Sequence, residues 1–401
     1  MGATQAIRQK GRSVKNVDGR WDLKGIGIGK CMDWKGIRDW NERTTFARSV
    51  QGRRFFPLDS KLQLREDHWS DGAARVATRQ GLQAKSFDLA AAAYEEAVGG
   101  SMSADSLRRV TQGWGQVVEE QRKAEAEQVY AVERPERVER VVKVHEPIQG
   151  QGNVSSDGGM VLLRAEGWKE VKMSVFSQVE VKQTAPTPQN PQPEPELVLH
   201  RHSYQVGLWD ADEMGQHQYL EGSRRQVTLC QRLGSVNDGA PWIDRITTSN
   251  YPQAIQVIDW GHASERLWKV AKAAFGDGTP SSQAWAKQQA DRLWQGRTAE
   301  VVTDLQALDW PHITCLDDIR NSPDYFETRQ AKMIYDQFRQ AGYPIGSGTV
   351  ESGINTVVHH RMKRQGRGWE RQNAQSMLAA LSELHSGRFQ LSWLSLTQSP
   401  N

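Results

Sequence analysis

A chain of 401 residues is long enough for two or three domains with real cores, and 37% hydrophobic with 25% charged residues suits a soluble protein on the polar side. No run approaches the roughly 18 apolar residues of a membrane span, and the start of the chain lacks a signal-peptide core, so neither a membrane-spanning nor a secreted protein is expected. Cys31, Cys230 and Cys315 match no metal or disulfide spacing, which makes a reducing cytoplasm the expected setting, and a net charge of +3 points to nucleic acid only if the cations cluster.

Residues 1–50 are rich in Gly and charge, with Trp21, Trp34 and Trp40 but little periodicity. They read as an irregular N-terminal arm. The stretch GIGIGK ending at Lys30 is not a phosphate loop: Lys24 stands where the first Gly is needed, and Cys31 where Ser or Thr is needed. Residues 51–148 read as a mainly helical, DNA-binding region. There, Ser86 and Phe87 open the helix DLAAAAYEEAV, which ends at Gly99 and Gly100, and Ser103 caps a second helix, ADSLRRVTQGWG, with Arg108 and Arg109 exposed. A helix, a Gly turn and a basic helix outline a helix-turn-helix, although a plain helical hairpin fits the same residues. The charged helix that follows is interrupted by Pro135 and reads as a solvated connector.

From about residue 149 the texture changes to strands. NVSSDGGMVLLRA and GWKEVKMSVFSQVEV read as adjacent strands, with Asp157 in the first and Trp168 opening the second. Residues 184–197 are too rich in Pro for a ladder or a helix and read as an extended surface loop. A third strand follows at 202–210, then a helix containing Gln218 and Arg225. SVNDGAPWI holds a short strand end with Asp238, and AIQVIDWGHA another with Asp259 and His262. Residues 263–342 are helical and interrupt this domain, which resumes over 343–401. Glu351 sits there at a helix start, followed by Arg361, Lys363 and Arg364 and by a Gly-punctuated loop with Arg367, Trp369 and Arg371. The expected fold class is α/β: a mixed sheet with helices around it, an all-helical insertion, and a mainly helical region in front.

Functional residues in such sheets gather at strand ends. Asp157 and Asp238 both sit in or just after strand-like segments, and a fold that brought them to Glu351 would assemble three carboxylates suited to two hard divalent cations, Mg²⁺ or Mn²⁺. Each acid also has a plainer reading. Asp-Gly is a turn dipeptide, Glu351 is a good first-turn acid, and His262 with Asp259 suits a satisfied core histidine. Trp369 could stack on an unpaired base or pack in a core.

The order and flanks of these residues carry more than any one of them. VSSDGGMV, GWKEVK, NDGAPWI, IDWGHASERLW and PIGSGTVESGINTVVHHRMKRQGRGW, over roughly residues 55–385, resemble the bacterial insertion-sequence transposases of the ISKra type, distant relatives of mutator-like transposases. The resemblance implies a ribonuclease H-like catalytic core with an all-helical insertion before the last acid. It implies that Asp157, Asp238 and Glu351 are the catalytic, metal-binding acids holding two Mg²⁺ or Mn²⁺ ions. Asp259 and His262 look like the family's acid, two-residue gap, histidine signature, with a supporting or DNA-handling role. Arg361, Lys363, Arg364, Arg367, Trp369 and Arg371, with Arg108 and Arg109, are then the expected DNA contacts. The partners are element ends and target DNA, bound by a homodimer or larger assembly on the bacterial nucleoid, with no small-molecule cofactor. This chain departs from the family upstream: the paired N-terminal cysteines of a zinc ribbon are missing, while Gly52 and Phe56, Pro57, Leu58 and Asp59 remain. The expected function is a DNA transposase. Its rivals are a ribonuclease H-like nuclease without strand transfer and a domesticated, non-catalytic DNA-binding protein. A carboxylate-pair glycosidase would leave the basic stretch after Glu351 without a reason.

Overall fold

The computed structural model describes residues 14–16, 19–33, 36–47, 54–55, 69–141, 147–184 and 195–397. The chain divides into two compact units, one of Met1–Val117 with Gln390–Asn401 and one of Val118–Phe389. No helix among the described residues is long and apolar enough to cross a membrane.

The first unit differs from the expected irregular arm. It holds an antiparallel sheet in the order β1 (Val14–Asn16), β2 (Gly19–Asp33), β3 (Gly36–Ala47) and β4 (Arg54–Phe55). Ile26, Ile28, Lys30 and Met32 alternate with Gly27, Gly29 and Cys31, a period of two that the glycines mask when strands are read from propensity. Residues 52 and 56–59 lie outside the described residues. Two helices follow, α1 (Asp71–Gln83) and α2 (Phe87–Val98), each capped by a serine hydroxyl, Ser70 or Ser86, that accepts from an amide of the first turn. Ala73, Ala77, Ala90, Tyr94, Met102 and Leu107 form their core. The next helix, α3 (Ala104–Tyr130), runs for 27 residues, through Gly113 and Gly115, where two helices were expected. Long, charged, strong helix formers after residue 117 extend it at little cost, and Pro135 then opens a separate short helix, Arg134–Arg140.

The second unit is built on a five-stranded mixed sheet in the order β7 (Glu196–Gly207), β6 (Gly167–Lys182), β5 (Gln151–Leu163), β8 (Arg232–Asn237) and β9 (Ile255–Ile258). β6 runs antiparallel to both β5 and β7, whereas β8 lies parallel to β5 and β9 parallel to β8. Most of the Pro-rich segment between β6 and β7, residues 185–194, lies outside the described residues. β5 is buried from Gln151 through Ser156, as a central strand covered on both faces must be. Helix α4 (Ala211–Arg224) packs on β6 and β7. Pro241 starts a helix, α5 (Pro241–Asn250), in a stretch read as a strand end; proline is well placed at a first helical turn.

The helical block is present. It includes α6 (Trp260–Phe275), α7 (Pro280–Trp294) and α8 (Thr298–Gln306), followed by short turns. It is not a free-standing lobe: Val236, Val257 and Ile258 of β8 and β9 share one apolar core with Leu267, Leu293, Val301, Phe326 and Tyr335 of the block. The chain then returns through α9 (Gly348–Gly353), which bears Glu351 and continues without a break into a π-helical segment, Ile354–His359, and a last α turn, His360–Met362. Two glycines let this segment lie close on β5 and β6. A Cβ at Gly353 would come within 3.0 Å of Tyr204 and 3.1 Å of Met173, and one at Gly159 within 2.9 Å of Ile354.

Candidate active site

β5 and β8 pair only over Gln151↔Arg232, Gly152↔Leu233 and Asn153↔Gly234. Beyond that the strands part, and the Asn237 side chain bridges them, its Oδ1 accepting from the Ser156 amide at 2.7 Å. Asp157 and Asp238 are the next residues on the two sides of this gap, at the carboxyl end of β8, where open α/β sheets form their ligand crevices. Asp157 is half-buried and its Oδ1 accepts from the Gly158 amide at 2.7 Å. Asp238 closes an Asx turn, its Oδ1 accepting from the Ala240 amide at 2.8 Å. Gly239 then takes φ +89°, a conformation that favours glycine. The Tyr325 hydroxyl donates to the Asp238 carbonyl at 3.2 Å and Arg329 to the Gly239 carbonyl at 3.4 Å, so the helical block also holds the second acid's loop.

Asp259 follows β9 and caps α6. Its Oδ1 accepts from the His262 amide at 2.6 Å and faces the His262 Nδ1 at 3.0 Å, while its Oδ2 accepts from the Ser347 amide at 2.5 Å. The Ser347 hydroxyl in turn donates to Glu351 Oε1 at 2.9 Å. Backbone bonds reinforce the link: the Asp259 amide donates to the Asn237 carbonyl, and the Trp260 amide to the Ile345 carbonyl. Asp259 therefore ties together the end of β8, the start of α6 and the loop that delivers Glu351.

The surroundings shift three of these groups. Burial pushes the Asp157 carboxyl up to about 6, and the charges of Asp238 and Glu351 add to the rise, while the Gly158 amide and His262 oppose it. The bond to Asp259 raises His262 to about 9 against its partial burial, and the charges of Asp259, Asp238 and Glu351 raise it further. Burial works against ionisation of Asp259, but the hydrogen bonds from His262 and Ser347 outweigh it and lower its pKa. Four carboxylates and one imidazole thus share a single electrostatic neighbourhood.

Among the described residues, one group brings three potential metal-ligand atoms within 4.8 Å of one another, and it is Asp259, His262 and Glu351; the expected ligands Asp157 and Asp238 are not part of it. Asp259 is only 5% exposed and already receives N–H groups from His262 and Ser347, so its place is to orient the imidazole and the serine. Glu351 and His262 are the exposed members of the group. A repelling set of carboxylate oxygens is the donor chemistry that hard divalent cations fit.

The cations expected on DNA divide into three kinds. Lys363 and Arg367 are exposed and Arg364 is partly buried. Arg361 is not: it is 2% exposed, its guanidinium lies 5.5 Å from the centre of the Trp369 ring, and burial with the charges of Arg367 and Arg364 lowers its pKa to about 10. The expectation that Arg361 reaches DNA phosphates is corrected, because the last α turn before Lys363 directs it inward. Trp369 is tied into the fold as well. Its amide donates to the Leu162 carbonyl, its carbonyl accepts from the Arg164 amide, both at 2.9 Å, and its indole N–H donates to the Met362 carbonyl at 3.0 Å. Arg371 makes a two-pronged pair with Glu166 at 2.8 and 2.7 Å. In the first unit, Arg108 and Arg109 both pair with Asp105 on their own helix.

Sequence reasoning passed over Asn237, Tyr325 and Arg329, and took Ser347 only as part of the Gly346-Ser347-Gly348 turn that brings the chain back to Glu351. Ser347 carried a usable signal, standing four residues before Glu351, the spacing at which helical side chains meet. No protein-family model matches the chain, and no curated protein does.

Proposed function

We propose that this chain is a DNA transposase that cuts at the ends of its element and joins them to target DNA with the help of divalent cations. The observation that carries this reading is that Asp157 and Asp238 flank the gap where β5 and β8 part, and that the charges of Asp238 and Glu351, from distant parts of the chain, both raise the pKa of Asp157. The mixed five-stranded sheet, the helical block before the last acid and the close seat of α9 on β5 are compatible with a ribonuclease H-like core.

Asp157, Asp238 and Glu351 would hold two Mg²⁺ or Mn²⁺ ions, which supply activation of an attacking hydroxyl and stabilisation of the leaving oxygen. The chain's own groups set the stage. Ser347 fixes the rotamer of Glu351, Asp259 fixes the ring of His262, and Asn237 keeps the crevice open by replacing the backbone ladder with a side chain. The imidazolium of His262 offsets part of the carboxylate charge. Lys363, Arg364 and Arg367 give sequence-independent, salt-sensitive contacts to phosphates. Joining two ends calls for an assembly of at least two copies.

The test uses the DNA that flanks the reading frame. A pre-cut duplex carrying one flank is incubated with purified protein, a supercoiled plasmid and Mg²⁺ or Mn²⁺. Joined product that disappears with Asp157→Asn supports the transposase. Metal-dependent hydrolysis without joining makes the chain a nuclease, and binding without either makes it a DNA-binding protein.

A further inference from the structure

Trp168 is 53% exposed, although a tryptophan is among the residues most worth burying. It opens β6 just after the β5–β6 turn, opposite Leu162. Directly opposed residues share a face, as do residues two apart, so Met160, itself 42% exposed, lies on the same face, opposite Glu170, whose carboxylate pairs with Lys172. The cationic loop is pinned beside this face: the Trp369 amide bonds the carbonyl of Leu162, the register partner of Trp168, and Arg164 bonds back to the carbonyls of Gly368 and Trp369. Lys363 Nζ consequently lies 5.9 Å from the centre of the Trp168 ring. Arg364 and Arg367 follow in the same loop, close enough for both charges to act on the Arg361 guanidinium. Like charges gathered next to an exposed indole suit a partner that is anionic and carries flat, apolar faces.

We infer that Trp168 is a stacking platform for an unpaired nucleobase, with Lys363, Arg364 and Arg367 taking the phosphates of the same strand. This rests on the reading of the chain as a DNA-handling protein and assigns the stacking role to Trp168 in place of Trp369, whose indole N–H and backbone are engaged within the fold. The platform lies at the end of the β5–β6 hairpin whose first strand carries Asp157. Leu162 is five residues further along β5, about 17 Å at 3.3–3.4 Å per residue, an odd spacing that puts Trp168 on the opposite face of the strand from Asp157. Stacking is tolerant of sequence because every base has a flat face.

The test is binding by the full chain, in EDTA, of a fluorescein-labelled single-stranded oligonucleotide and of its duplex, read by anisotropy at about 0.1 M salt. Trp168→Ala is expected to weaken single-strand binding by about 5- to 150-fold, the range that losing one stacked base spans, and to leave duplex binding nearly unchanged. Trp168→Phe is expected to recover most of the loss, and Lys363→Gln to weaken both ligands and flatten the salt dependence. Because metal is absent, the result stands whether or not the carboxylates catalyse; cleavage by Trp168→Ala measured separately in Mg²⁺ reports on that reading. Unchanged single-strand affinity in Trp168→Ala, equal loss for both ligands, or failure of Phe to rescue overturns the inference.

Discussion

Ser347→Ala is the sharpest perturbation of the proposed site, because it removes one oxygen and keeps the backbone bond that places it. Ser347 is 2% exposed, its hydroxyl donates to Glu351 Oε1 at 2.9 Å, and its amide donates to Asp259 Oδ2 at 2.5 Å. Alanine retains the amide contact. A hydrogen bond to a charged group is worth about 1.5–3 kcal/mol, and because Glu351 is exposed, water replaces part of the loss, which favours the lower end. At 1.4 kcal/mol per decade that is about tenfold, within the 10–100-fold cost typical of losing a partner that orients a metal ligand. The assay is cleavage rate against Mn²⁺ concentration, with melting temperature measured in parallel. The variant is expected to need about tenfold more Mn²⁺ for half-maximal rate while its melting temperature stays close to that of the parent. Wild-type metal dependence in Ser347→Ala would refute the reasoning, since Glu351 would then need no holding where the structure holds it.

Other outcomes follow from the same contacts. Asp157 has a folded pKa of about 6 against about 3.9 unfolded, so the folded state binds its proton more tightly and this group's contribution to stability falls as pH rises from about 4 to 6. In EDTA, Asp157→Asn should therefore melt above the parent at pH 7, lose that advantage near pH 4, and have no cleavage activity. His217 is 4% exposed and stacked on Trp209 at 3.9 Å, and burial, with Arg122 and Arg224 nearby, lowers its pKa well below 6.5. It stays neutral when folded but takes a proton when unfolded, so stability falls below pH 6.5 by up to about 1.4 kcal/mol per pH unit; urea titrations of His217→Phe should show a shallower fall. A Cβ at Gly222 would sit 1.9 Å from the Tyr251 hydroxyl, beside fully buried Phe176, so Gly222→Ala should cost about 3 kcal/mol in urea unfolding. Gly113→Ala, on an open helix face with nothing within 4 Å, should instead gain about 1 kcal/mol.

The elements that were legible are those whose signal is local. β5 to β9 announce themselves through runs of Val, Ile and alternating polar residues, and the helical block through Ala, Leu and capped starts. What was not legible depends on neighbours that sequence does not name. Pro241 follows an Asp-Gly turn and reads equally as the end of a strand or the first turn of a helix; packing of Ile243 and Ile246 decides for the helix. Arg361 and Lys363 stand two apart in one basic run, yet one is buried and the other exposed. That division follows from where the helix after Glu351 meets β5, a tertiary fact. Trp369 is engaged within the fold while Trp168 is exposed for the same reason: a tryptophan's destination is set by what lies across the sheet, and composition is silent about it.

Asp259 shows how far a spacing can be trusted. An acid and a histidine three residues apart were expected to support the site, and the two side chains do come within reach of Glu351. The hydrogen bonds define the form that support takes. A carboxylate that caps α6, holds an imidazole and accepts the Ser347 amide has both its oxygens engaged in geometry. Its value lies in fixing three chain segments that approach from different directions. Asp259→Asn should expose this. The amide offers one acceptor oxygen, and its NH₂ must face either the Ser347 amide or the His262 side, so a donor meets a donor at a buried position, at a cost of about 1–3 kcal/mol. If Asp259 only positions, Asp259→Asn lowers melting temperature and shifts the Mn²⁺ dependence in the same direction as Ser347→Ala, and combining it with Ser347→Ala adds little, because both break one chain of contacts. If Asp259 were itself a ligand, the two changes would multiply.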